Sequence, residues 1–306
     1  MSTPPDAPLS PGAATRAGRI ALVGRPNVGK STLLNALLGE PIAITSPHPQ
    51  TTRDAVRGVL TVGDTQYVFV DTPGLHTARS KLGEHMNEAA REQAREADVL
   101  VLLVEPKVDE RDLRLAQDLP KAPTILAINK VDTVKDKTQL LPLLEAFAKA
   151  HTFDAMVPVS ARRKKGLEGI LAELRGRLPE QPFLFEADTL SDQPTRFFVA
   201  EFVREQILAL TWQEVPHGVA VLVERFDEAP RVAHIEVAIH VAREAHKKIL
   251  IGDKGQMLKA VGIKARERVE QMLGRQVHLK LWVRATPDWM NDAAKLRDMG
   301  YGGEQK

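Results

Sequence analysis

Cysteine is absent from the 306 residues, which excludes a disulfide framework and a thiolate metal site and favours a reducing compartment. Long apolar runs are absent too: none approaches the roughly 20 residues that a membrane-spanning helix needs. Nor is there a bulk excess of either charge. Lys and Arg number 42 against 40 Asp and Glu, a formal net charge of +2, so the whole chain is no polycation and the placement of charge matters more than its total. Residues 1–17 are rich in Pro, Ala, Ser and Thr and lack the apolar stretch of a secretory signal. They read as a disordered tail. What is present, 43% hydrophobic and 27% charged residues, is ordinary globular composition in a chain long enough for two compact domains.

Between residues 18 and 182, short apolar runs alternate with longer stretches of helical period. Strands are expected over 19–23, 55–62, 66–71, 99–105, 124–129 and 156–160, and helices over 30–38, 82–96, 110–119, 140–150 and 167–178. Most of the strands are apolar throughout, as strands covered by helices on both faces are. The fold class expected is α/β, a mostly parallel doubly wound sheet. One antiparallel edge strand is expected where 55–62 turns back into 66–71 through Gly63 and Asp64. The stretch 179–194, with three prolines, several acids and no helical period, marks a break, of which residues 183–194 read as the linker. Residues 195–302 then read as an α+β domain: helix 195–210, strands 218–226 and 231–241, helices 244–249 and 255–273, strand 276–284 and a last helix 287–297.

Gly24-Arg25-Pro26-Asn27-Val28-Gly29-Lys30-Ser31 fits the phosphate-loop pattern G-x-x-x-x-G-K-[ST], follows an apolar strand and opens a helix. Its glycines let backbone N–H groups turn toward phosphate oxygens. Lys30 is suited to the terminal phosphates, Ser31 to Mg²⁺, and Thr32 continues the binding turn. Asp71-Thr72-Pro73-Gly74 closes the third strand, where Asp71 faces the same metal and the Gly74 N–H faces the terminal phosphate. Asn129-Lys130-Val131-Asp132 ends the fifth strand. A carboxylate at Asp132 can accept two donors that guanine offers and adenine lacks. Ser160 and Ala161 follow the sixth strand and supply a further guanine contact through the Ala161 N–H.

Together these residues resemble the translation-factor-related GTPases, over about the first 180 residues. The resemblance makes 49–54, Pro-Gln-Thr-Thr-Arg-Asp, the first switch, in which Thr52, or else Thr51, completes the Mg²⁺ shell. Leu75 stands where Ras-type enzymes carry the glutamine that orients water, and leucine has no group for that task. The resemblance implies instead that Asn27 helps to hold a K⁺ ion. Asn27, Lys30, Thr52 and Gly74 are thus the residues expected to serve hydrolysis of GTP to GDP and phosphate.

In the second domain, Gly252-Asp253-Lys254-Gly255 lies between two expected helices in a strand, strand, helix, loop, helix, strand order that suits a type II KH domain. From 243 to 284 there are eleven basic and four acidic residues, a net +7 in a chain of +2. Lys247, Lys248, Ile251, Gly252, Asp253, Lys254 and Gly255 are the expected RNA contacts. The whole chain is similar to the Era family, bacterial GTPases with a C-terminal KH domain. That resemblance implies a cytoplasmic monomer that binds GTP or GDP and 16S ribosomal RNA near its 3′ end. It also implies a role in 30S subunit assembly and loose association with the inner membrane. A membrane or cell-cycle switch with secondary RNA binding is the alternative. The run Arg162-Arg163-Lys164-Lys165 reads as a solvated basic loop or an extra RNA or lipid contact.

Overall fold

The computed structural model describes residues 14–211, 215–229 and 231–301. Most of the expected tail, residues 1–13, and the expected domain end at Gly302 lie outside the described residues. The chain divides into two compact units. One holds the chain up to 43 with 52–76 and 86–192; the other holds 44–51, 77–85 and the chain from 193 onward.

The first unit runs β1 (Arg16–Val23), α1 (Lys30–Leu38), β2 (Val56–Val62), β3 (Thr65–Asp71), then α2 (Lys81–Glu96), whose first turns group with the second unit. It continues with β4 (Val99–Val104), α3 (Glu110–Gln117), β5 (Thr124–Ile128), α4 (Leu141–Ala150), β6 (Ala155–Pro158) and α5 (Leu167–Arg175). The sheet order is β2-β3-β1-β4-β5-β6, parallel except for β2, which pairs antiparallel with β3 through the Val62↔Thr65 turn. Every residue of β4 and β5 is buried, the physical reason their sequences do not alternate. With β3 on one side of β1 and β4 on the other, chain order reverses at β1, and the loops beyond the carboxyl ends of these strands surround that point.

Two expectations shift. The strand expected at residue 19 opens at Arg16, so 16 and 17 of the expected tail belong to the sheet. Arg16 and Ala17 pair with Thr65 and Gln66, Thr15 Oγ1 donates to the Gln181 carbonyl, and Ala17 is fully buried. The expected linker lies along β2 and β3. Val59 N donates to the Leu190 carbonyl (2.8 Å), Ser191 Oγ to the Arg57 carbonyl (2.5 Å), and Arg57 pairs with Asp192 (2.9 Å). Buried Gln66 accepts from the N–H groups of Leu184 (2.8 Å) and Phe185 (2.9 Å) and donates to the Phe185 carbonyl (2.9 Å). An edge strand with unpaired backbone groups is a good template for such a strap.

In the second unit come α6 (Thr195–Leu210), β7 (Val219–Glu228), β8 (Val232–Val241), α7 (Glu244–Ile251), α8 (Gln256–Leu273), β9 (Gln276–Ala285) and α9 (Ala293–Asp298). The sheet order is β7-β8-β9, with β7 antiparallel and β9 parallel to β8. Alternate residues of β8, Ile235, Val237 and Ile239, are buried with Val203 and Ile207 of α6 and Val261, Ala265 and Val269 of α8. The last helix starts later than the expected 287. Asp288 has φ +57°, which no right-handed helix accommodates, and Asp292 caps Ala294 N and Lys295 N.

The Gln66 amide is a buried clamp whose loss leaves strap and strand groups unpaired. Gln66→Ala is expected to cost about 1–3 kcal/mol and to speed proteolysis within 184–192. Urea midpoints and limited digestion measure both, and an unchanged midpoint would contradict the clamp.

Candidate functional site

The loops after β1, β3, β5 and β6 converge at the carboxyl edge of the sheet. In the first of them Asn27 (φ +65°) and Gly29 (φ +100°) lie in the left-handed region. A Cβ on Gly29 would sit 2.3 Å from Asn129 Nδ2, so position 29 requires glycine on both counts. Lys30 begins α1 and is buried, its Nζ donating to the carbonyls of Gly24 (3.2 Å) and Arg25 (3.1 Å). Burial pushes this ammonium down to about 8, opposed by the charge of Asp71.

Three oxygens meet beside it. Ser31 Oγ donates to Asp71 Oδ2 (2.6 Å), Thr52 Oγ1 donates to the same oxygen (3.1 Å), and the two hydroxyls are 2.9 Å apart. Asp71 is fully buried, and burial raises its pKa against the pull of Lys30, Ser31 and Thr52. Its Oδ1 is buried with no hydrogen-bond partner among the described residues. Two hydroxyls and a carboxylate with an unused oxygen form a hard donor set that fits a divalent cation. Thr51, the other switch threonine weighed from sequence, donates its hydroxyl to the His48 carbonyl (2.7 Å) and groups with the second unit.

Asn129 ties three loops together: Nδ2 donates to the Val28 carbonyl (2.8 Å), while Oδ1 accepts from Lys130 N (2.8 Å) and Ala161 N (3.0 Å). The Ala161 N–H, expected to face a purine oxygen, thus donates here to Asn129. Lys130 lays its stem across the phosphate loop, with Nζ on the Asn27 carbonyl (2.6 Å) and Glu105 (2.6 Å). Asp132 Oδ1 accepts from Ser160 Oγ (2.6 Å), and that bond, aided by Arg163 and Arg162, holds the carboxyl below its usual range.

Other expected members differ. The Arg25 guanidinium turns to α3, pairing with Asp109 (3.0 Å) and fully buried Asp112 (2.6 Å), so only its backbone faces the loop interior. Pro26 and Val28 complete the loop, with Val28 buried. Thr32 continues α1, and Thr72 Oγ1 donates to the Leu22 carbonyl (2.8 Å). Pro73 and Gly74 follow, and Leu75 N donates to the Gly24 carbonyl (3.2 Å), joining the loops after β1 and β3. Glu105, Asp109 and Asp112 were not singled out from sequence; their partners Lys130, Arg25 and Arg25 are 25, 84 and 87 residues away in different loops, so spacing gave no signal.

In the second unit the turn from α7 to α8 has Gly252 (φ +73°), Lys254 (φ +46°) and Gly255 (φ +80°) in the left-handed region. Space around a Cβ at Gly255 is open, so the constraint there is backbone conformation and approach from outside. Lys248, Asp253 and Lys254 are exposed, Lys247 half-buried, and Ile251 packs against the core cluster. A groove of about 380 Å³ opens at Gly255, floored by Leu258, Gly262, Leu279 and Leu281. Lys259 and Arg266 flank it, and Ile263 adds an exposed apolar side chain. Sequence reading missed this groove. Ile263, an apolar residue on the charged face of α8, was the available signal.

The chain matches the family described as 50S ribosome-binding GTPase over residues 19–130 and the KH domain over 214–290. GTPase Era of Lactobacillus delbrueckii subsp. bulgaricus is 42% identical, over 94% of this chain and 96% of its own. GTPase Era of Geotalea uraniireducens is 44% identical, over 94% and 98%. The chain belongs to the Era family of GTPases. Among solved structures, a variant of Aquifex aeolicus Era bound to GDP·AlF₄⁻ superimposes with a TM-score of 0.90 at 38% identity, covering 94% of this chain and 99% of that one. An Era complex with MgGDPNP and nucleotides 1506–1542 of 16S ribosomal RNA matches equally well, at a TM-score of 0.90, 38% identity and the same coverage.

The fold expected from sequence, a P-loop GTPase domain followed by a KH domain, is therefore the fold of this Era-family chain, and the enzyme is a GTPase. Leu75 packs against the cluster of Ala21, Val23, Ala94 and Leu100, so its side chain serves the core.

The Lys30 ammonium gives a pH signature. A polyphosphate beside it favours the charged form, whereas burial, opposed by Asp71, holds it at about 8. Binding of GDP without Mg²⁺ should therefore take up a proton near pH 8.5, and affinity should fall as pH rises above 8, by at most about tenfold per unit. Calorimetry in buffers of different ionisation enthalpy reads the uptake. Zero proton uptake would mean that Lys30 does not meet phosphate.

Proposed function

We propose that this Era-family GTPase joins Mg²⁺-dependent GTP hydrolysis to binding of 16S ribosomal RNA near its 3′ end, as a cytoplasmic monomer acting in small-subunit assembly. The observation that supports it most is the presence, within one chain, of strand-end loops that bring Lys30, Ser31, Thr52 and Asp71 together and of a positive-φ glycine loop beside an apolar groove. The related complex holds both ligands, MgGDPNP and a 16S RNA segment. The family description that names the 50S particle covers only residues 19–130, within the GTPase half.

In this reading the backbone of Gly24 to Ser31 and the Lys30 ammonium cradle the phosphates. Ser31, Thr52 and Asp71 hold Mg²⁺, which neutralises phosphate charge when bound. Asn129 sets the shape of the base site, and the ionised Asp132 accepts the two donors of guanine. Leu75 offers nothing to water, so transition-state charge must be met otherwise. Asn27 is exposed at the crest of the phosphate loop, and in this reading it helps to hold a K⁺ ion that meets that charge.

On the second unit, Gly252 to Gly255 let a phosphate backbone come close, with Lys247, Lys248 and Lys254 around it. Unstacked bases then lie on the apolar floor of the groove between Lys259 and Arg266. No described helix is long and apolar enough to cross a membrane.

Two measurements test this. Turnover should be slow, dependent on Mg²⁺ and faster in K⁺ than in Na⁺. Leu75→Ala should keep most of it and Lys30→Ala should lose it, while equal rates in both salts would remove K⁺ from the reaction. Gly255→Asp should abolish binding of single-stranded RNA and leave GTP turnover intact. Reversal of charge at Lys254 should lower the salt dependence of RNA binding by up to about 0.7 log units per lost phosphate contact. A folded Gly255→Asp protein with unchanged RNA affinity would refute the role of the loop.

A further inference from the structure

The basic run Arg162 to Lys165, which the guanine site does not use as a whole, is built into a closed hairpin. Ser160 and Lys165 exchange backbone hydrogen bonds, each 3.0 Å. Arg163 N donates to the Ser160 carbonyl and Lys164 N to that of Ala161, both at 3.2 Å. Backbone donors that a mobile loop would leave to water are therefore spent internally. All four basic residues are exposed.

Two features mark the run. Arg16, Arg25, Arg57, Arg175 and Arg177 each pair with a carboxylate. In the hairpin, Arg163 alone does so, at 3.5 Å from Asp132, and none of the side chains of Arg162, Lys164 and Lys165 makes an ion pair or hydrogen bond among the described residues. Lys164 also sits in the left-handed region, at φ +51°. A non-glycine residue there costs about 1–2 kcal/mol, less for asparagine, so local stability alone favours another residue. Charge is held on this turn against its conformational preference.

We infer that the 160–166 hairpin is a second RNA-contact surface, on the first unit, which engages the phosphate backbone of base-paired RNA without reading sequence. A crest of guanidinium and ammonium groups held by backbone bonds, with Asp132 as the one carboxylate in ion-pair range among the described residues, suits phosphates. An anionic membrane fits less well. Residues 162–166 expose no apolar side chain to insert, and α5, which follows, buries Ile170 and Leu174. The inference takes RNA as partner from the proposed function but does not depend on the glycine loop.

The test uses the full chain with GDP, a blunt RNA duplex of about 16 base pairs, which offers no unstacked base to the groove, and a salt series. Lys164→Asn with Lys165→Gln removes two charges, keeps a residue at 164 that tolerates φ > 0 and leaves Arg163 on Asp132. Unchanged GTP turnover certifies the fold. The slope of log affinity against log salt should fall by about 0.9–1.8, so that the duplex binds roughly eight- to sixtyfold more weakly at about 0.1 M salt. A short single-stranded RNA should bind as before. Unchanged duplex affinity and slope would overturn the proposal. So would a loss seen on phosphatidylglycerol vesicles in place of the duplex. Failure of Gly255→Asp to affect single-strand binding would sink the loop assignment and leave the duplex result standing.

Discussion

Asn129 is a neutral side chain at the centre of a charged site, and its four-atom amide fixes the relation of three separate loops. Its Nδ2 holds the carbonyl of Val28 and its Oδ1 gathers the N–H groups of Lys130 and Ala161. Because it is buried, each bond is hard for water to replace, and loss of one leaves a polar group stranded. The requirement for glycine at position 29 follows from the same amide, which occupies the space a β-carbon would need. The loops after β1, β5 and β6 thus share one hub. The hydroxyls of Ser31 and Thr52 around the buried carboxylate of Asp71 form a second hub, built on charge.

The parts of this arrangement that were legible in the sequence are those carried by contiguous residues. Gly24 to Ser31, Asp71 to Gly74 and Asn129 to Asp132 each place their chemistry within one strand-end loop, so spacing alone positions them. Strands β4 and β5 were legible because burial on both faces writes itself as an unbroken apolar run. The alternation of Ile235, Val237 and Ile239 marks β8 equally well. The order of strands and helices in the second half then pointed to the KH fold, which the family match bears out.

What escaped depends on residues brought together by the fold. Arg25 was placed with the nucleotide, yet its guanidinium finds a buried partner 87 residues later in Asp112. The apolar groove joins one face of α8 to β9, and neither stretch announces it alone. Arg16 and Ala17 looked like tail because short and polar residues carry little strand signal, and their pairing with Thr65 and Gln66 is a property of the sheet. The choice between Thr51 and Thr52 turns on which hydroxyl points inward, which neighbours in sequence cannot settle.

The strap along β2 changes what counts as an autonomous piece of this chain. By composition the first domain ends near residue 182, but Leu190 and Ser191 still bond to β2, and Asp192 still pairs with Arg57. A fragment cut at 182 would present β2 as a bare edge strand whose free N–H and C=O groups invite a neighbouring chain to pair. Residues 184–192 cover that edge and so oppose sheet-to-sheet pairing, and the compact GTPase unit extends through Asp192.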